Sequence, residues 1–223
     1  MPQLNEGIRW FKRQFGDKIR VGIEGTPFTL DLLTAIALQE TFYIWGRLFQ
    51  TMPVDEVLQL CVGDTLDTPN RSAFPKNKAE LLSVPGGNEM FAVAREALES
   101  MALHVPGYNG ALRNPNKFCH GYGIFQYDIQ FFKENPSYFL EKRWYNFDEN
   151  LAVAIKELNA ALERAYGHGK TTLTDTEMVY VAIAYNSGRV NFARGFKQGF
   201  RDESGKYYGE YIWDYLKLSQ TIA

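Results

Sequence analysis

The chain has 223 residues, 45% of them hydrophobic, which is enough for a large core or one domain with an elaboration. Its net charge of −2 argues against nucleic acid or an anionic membrane as main partner, because both reward basic patches. Two cysteines, Cys61 and Cys119, leave open one disulfide or two free thiols, and with three histidines they give no metal-ligand spacing and imply no cofactor.

Asn5 to Phe15 reads as a short amphipathic helix with Ile8, Phe11 and Phe15 on one side, followed by a glycine-containing connector from Gly16 to Pro27. The scattered charges at the start resemble neither a signal peptide nor a membrane anchor. Leu30 to Trp45 then forms the most apolar helix, started by Thr26-Pro27 or Thr29, and it carries Glu40. Leu33, Ile36, Ala37, Tyr43 and Ile44 share its side. A carboxyl in such surroundings has its charged form disfavoured, which suits a general acid; the plain alternative is an ion pair or a reach to water.

Pro53 opens a short helix closed by Gly63, and residues 63 to 87 read as irregular. Asn88 caps a helix to about Leu103, with Phe91, Ala94, Leu98 and Met101 inward. Pro106 to Cys119 reads as loop, ended by His120. In the run from His120 to Asp128, glycines suggest close backbone approach at a turn. Asp128 is placed to cap the helix that begins IQFF. Asn146 or Asp148 starts a long helix to Gly167, Thr174-x-x-Glu177 is a capping box, and the helix it opens stops at Ser187-Gly188. A last helix spans Tyr208 to Leu218. Strand signals are sparse, so the fold class expected is mainly α.

Three segments in this order carry a resemblance: Ala37-Leu-Gln-Glu40-Thr41, Gly123-Ile-Phe-Gln126-Tyr-Asp128, and Ala184-Tyr185-Asn186-Ser-Gly188. Phe147-Asp148-Glu-Asn150 and Tyr211-Ile212 add to it. The chain resembles the lysozyme-like lytic transglycosylases, a group that includes goose-type lysozyme. The resemblance covers Thr29 to Trp45 and Tyr122 to Leu216, with far more chain between Glu40 and Gly123 than compact members use. It implies one lysozyme-like domain over 1–223 with a helical insertion at about 46–119.

The resemblance implies Glu40 as the catalytic acid and counts Thr41, the residue after it, among the substrate-binding residues. Tyr185 would hydrogen-bond near Glu40. Gln126 would offer an amide to sugar or serve as a buried amide, and Asn186 would bind sugar or cap the backbone. Gly121 and Gly123 would let backbone approach sugar, Phe125 would shape a subsite where Met is more usual, and Tyr211 would pack at the cleft. Asp128 is either the helix cap or a base that activates water. The implied activity is cleavage of the β-1,4 bond between N-acetylmuramic acid and N-acetylglucosamine in peptidoglycan, by a monomer that needs no nucleic acid and no membrane insertion. The alternatives are a hydrolytic lysozyme or chitinase-like glycosidase and a non-catalytic glycan-binding module. Without a signal peptide, delivery to the wall or periplasm would fall to a secretion machine, a phage particle, lysis or fusion to an exported protein.

Overall fold

The computed structural model describes residues 2–65 and 71–223, so part of the irregular stretch expected at 63 to 87 lies outside the described residues. Among the described residues the protein is mainly α-helical. In chain order the elements are α1 (Pro2–Gly22), α2 (Leu30–Leu48), α3 (Val54–Leu60), β1 (Val62–Thr65), α4 (Lys78–Leu82), α5 (Gly87–Ala102) and α6 (Asn109–Leu112). They continue with β2 (Cys119–Tyr122), β3 (Tyr127–Asp128), α7 (Pro136–Leu140), α8 (Phe147–Tyr166), α9 (Asp175–Ser187) and α10 (Tyr208–Gln220). Short 3-10 turns fill several of the gaps. No helix among the described residues is long and apolar enough to cross a membrane.

The chain divides into two compact units. One comprises Met1–Glu40 and Leu151–Ala223, the other Thr41–Asn150. The second unit therefore takes in the hairpin and Phe147–Asn150, which the sequence places outside an excursion of about 46–119.

In the first unit α1 is nearly twice the expected length and absorbs most of the expected connector. Ile8, Phe11, Phe15 and Ile19 continue one apolar stripe, and all four are buried. Lys12 fixes the helix: its ammonium donates to the Ser219 carbonyl at 2.8 Å and pairs with Asp31 at 2.8 Å. The Thr29 hydroxyl accepts from Leu32 N–H at 3.2 Å and so starts α2. From Leu32 to Leu38 that helix is buried on every face, as its composition requires. The Thr174–Glu177 capping box opens α9, and Gly188, at φ 72°, closes it in the left-handed conformation.

In the second unit β1, β2 and β3 form an antiparallel sheet, with Val62 opposite Tyr122 and Gly121 opposite both Gly63 and Asp128. The strand β1 was not legible as one, because its pairing partner lies far along the chain. Tyr122 sits within 4.9 Å of the Trp144 ring centroid and 5.3 Å of Phe139, and all three are buried. Helix α5 begins one residue before Asn88. Gly86, at φ 73°, stands at its cap, since a left-handed residue there turns the chain from α4 into α5. Phe91, expected inward, is half-buried against Phe118, while Met90 takes a core position. Cys61 and Cys119 are both free and fully buried. Burial pushes both thiols well up, so neither is a ready thiolate.

Candidate active site

Glu40 is the last residue of the first unit's share of α2 and is half-buried. Its carboxylate is not bare: the Tyr208 hydroxyl donates to Oε1 at 2.8 Å. Tyr208 opens α10 and is itself buried. Burial first, and then the charge of Glu40, raises its phenol well above the ordinary value, so it remains a hydrogen-bond donor to this carboxyl throughout the neutral range. Tyr185, half-buried near the end of α9, is close enough to add to that rise. Glu40 of α2 and Tyr185 of α9 thus both lie near the Tyr208 phenol of α10.

Sequence reasoning named Tyr185 and Tyr211 for this neighbourhood and missed Tyr208. The Tyr211 hydroxyl instead donates to Asp202, and its ring stacks on Tyr215. The readable signal for Tyr208 was the glycine after it. A Cβ at Gly209 would lie 2.5 Å from the Phe196 carbonyl oxygen and 2.6 Å from Ile183, so only glycine lets α10 approach this closely. Asn186, one residue beyond Tyr185, is exposed, and its Oδ1 would lie 3.0 Å from a Cβ at Gly199.

The remaining expected residues belong to the second unit, and most are bound up in its hairpin. Thr41 is fully buried and donates its hydroxyl to the Ile124 carbonyl at 2.8 Å. Phe125 is in the core, 6.0 Å from Phe147 between ring centroids, and does not present a face to a sugar. The glycines admit side chains of the protein itself, which corrects the expectation that they admit a sugar. A Cβ at Gly123 would collide with the Asn150 amide, and one at Gly121 with Gln126 Oε1. Gln126, at φ 57°, folds back on its own turn: Nε2 donates to Gly123 O at 2.8 Å and to Cys61 O at 3.4 Å. A buried amide satisfying the backbone is the reading its contacts favour. In the same unit Tyr43 of α2 is partly exposed and stacks on Tyr108, with the two hydroxyls 2.9 Å apart.

Asp128 is held on three sides. Oδ1 accepts from Gln130 N–H at 2.7 Å, capping the turn that follows, and also pairs with Arg71. Oδ2 lies 3.0 Å from His120 Nδ1, so His120 does more than end a loop. Burial works to raise this carboxyl, but the hydrogen bonds and charges of His120 and Arg71 outweigh it, and the pKa ends below its usual value. A group with a depressed folded pKa stabilises the fold above its unfolded value, about 3.9, and loses that contribution as pH falls through the folded one. Asp128→Asn is therefore expected to cost about 1–2 kcal/mol at neutral pH, the side chain being partly exposed. Urea titrations should show the gap from the parent protein closing below about pH 4. An equal loss at every pH would contradict the clamp.

Among the described residues no three His, Cys, Asp or Glu side chains converge as metal ligands would. Compared with known proteins, the chain matches no family model, no curated protein and no solved structure.

Proposed function

We propose that this protein cleaves the β-1,4 bond between N-acetylmuramic acid and N-acetylglucosamine of peptidoglycan, as a lytic transglycosylase acting at the cell wall. The observation that carries the reading is the Glu40 carboxyl, seated in an apolar helix and held at Oε1 by the buried Tyr208 hydroxyl. With Oε1 turned to that donor, the transferable proton belongs on Oε2. Glu40 gives it to the glycosidic oxygen as the bond breaks. The resulting carboxylate, still held by Tyr208, takes the proton of the muramoyl C6 hydroxyl as that oxygen closes on the anomeric carbon. One carboxyl thus serves as acid and then base, and no water is consumed.

Hydrolysis by the usual two-carboxylate schemes needs a second acidic group as base or nucleophile. Asp128 is the residue the sequence offers, and its oxygens are committed to Gln130, Arg71 and His120. That commitment favours the non-hydrolytic reading over the hydrolytic one. The test of substrate is digestion of purified peptidoglycan beside chitin oligomers of matched length. Soluble muropeptides from the first, with no fragments from the second, are the expected outcome. Cleavage of chitin alone would overturn the assignment, and cleavage of neither would favour a binding module.

A further inference from the structure

Within the first unit the segment joining α9 to α10 encloses a pocket of about 460 Å³, whose lining includes Asn186, Arg189, Asn191, Arg194, Gln198 and Phe200. Its shape is fixed by Gln198, which is 6% exposed. That amide accepts from Asn191 N–H at 2.7 Å and donates to the carbonyls of Asn191 at 2.8 Å and Gly195 at 2.5 Å. The Asn191 side chain in turn accepts from Ala193 N–H at 3.0 Å. The pocket is therefore pre-formed, with both N–H donors of Gln198 committed to backbone carbonyls.

Two arginines contribute the charge. Arg189 and Arg194 are exposed, and neither guanidinium has an ion-pair or hydrogen-bond partner among the described residues. In a chain of net charge −2, two unpaired guanidinium groups on one concave site favour an anion whose oxygens match their forked donors. Phe200, 67% exposed, supplies an apolar edge, which suits a carboxylate carried on a small apolar group better than a bare inorganic ion. The site also adjoins Tyr208, the residue whose hydroxyl holds Glu40. Gly199, in its lining, would place a Cβ 2.6 Å from Cβ of Tyr208 and 3.0 Å from Oδ1 of Asn186.

We infer that this pocket is a carboxylate subsite. Resting on the function proposed above, its ligand is a free carboxylate of the peptide stem borne by the muramoyl sugar, so the enzyme distinguishes peptide-bearing from bare glycan. The test is an NMR titration of the whole protein with three probes: the dipeptide L-alanyl-γ-D-glutamate, the same dipeptide with its carboxylates amidated, and inorganic phosphate. The free acid should bind about tenfold or more tightly than the amide, and should shift the Asn191 and Phe200 signals. Arg189→Gln with Arg194→Gln should abolish that preference, and the double Lys variant should keep part of it. Equal binding of acid and amide, no binding of either, a preference that survives in a folded double Gln variant, or tighter binding of phosphate would each overturn the inference. None of the probes contains a glycosidic bond. A failure here thus leaves glycan cleavage standing, and a failure to cleave glycan leaves this titration readable.

Discussion

Glu40→Gln is expected to lower muropeptide release on the order of a hundredfold or more, the scale of a lost general acid. The amide keeps the size of the side chain, and its oxygen can still accept from Tyr208, so the fold should survive with stability changed by about 1 kcal/mol or less. Tyr208→Phe is the graded companion. It removes one donor to a carboxyl that must carry charge between the two halves of the reaction. A loss of about tenfold is expected, with the ring still filling its buried site. Release rates on purified peptidoglycan, with circular dichroism to confirm folding, read both variants. A folded Glu40→Gln protein with near-normal release would remove Glu40 from the mechanism.

Gly123→Ala should have the largest effect on stability. Gly123 sits at φ 81°, where an alanine is strained, and its Cβ would collide with the Asn150 amide. That amide is fully buried. It donates to Trp144 O at 2.5 Å and accepts from the Tyr138 hydroxyl at 3.3 Å. Displacing it leaves buried polar groups unsatisfied, and together with the backbone strain the cost should be about 3 kcal/mol or more. Gly110→Ala is the control, since a Cβ there meets nothing within 4 Å and the residue lies in α6. Urea midpoints that fall by similar amounts in both variants would show that the turn does not depend on Gly123 in this way.

Local patterns were read well from the sequence where the cause is local. The Thr174–Glu177 box, the Gly188 stop, the Asp128 cap and the apolar α2 each depend on residues within a few positions, and each is found as the pattern requires. The length of α1 was misjudged for a related reason. Gly16 and Gly22 read in the sequence as part of a connector, although the apolar stripe runs on to Ile19. What could not be read was pairing across distance. Tyr208 meets Glu40 across 168 residues, Val62 pairs with Tyr122, and Gln126 folds over Gly121. Nothing in the spacing of Tyr207, Tyr208 and Tyr211 says which hydroxyl reaches the carboxyl. The glycines near the hairpin show the same limit from the other side. The sequence says that something comes close to them, and only the fold says that it is Gln126 and Asn150.

In the proposed reaction one carboxyl does all the proton transfer and no water is consumed. The measurement that bears on it most directly is the mass of the muropeptides released from purified peptidoglycan by the parent protein and by Asp128→Asn. Both proteins are expected to release 1,6-anhydromuramoyl ends, one water lighter than reducing ends. Reducing ends from the parent protein, with release abolished in a folded Asp128→Asn variant, would contradict it and make Asp128 the base that activates water.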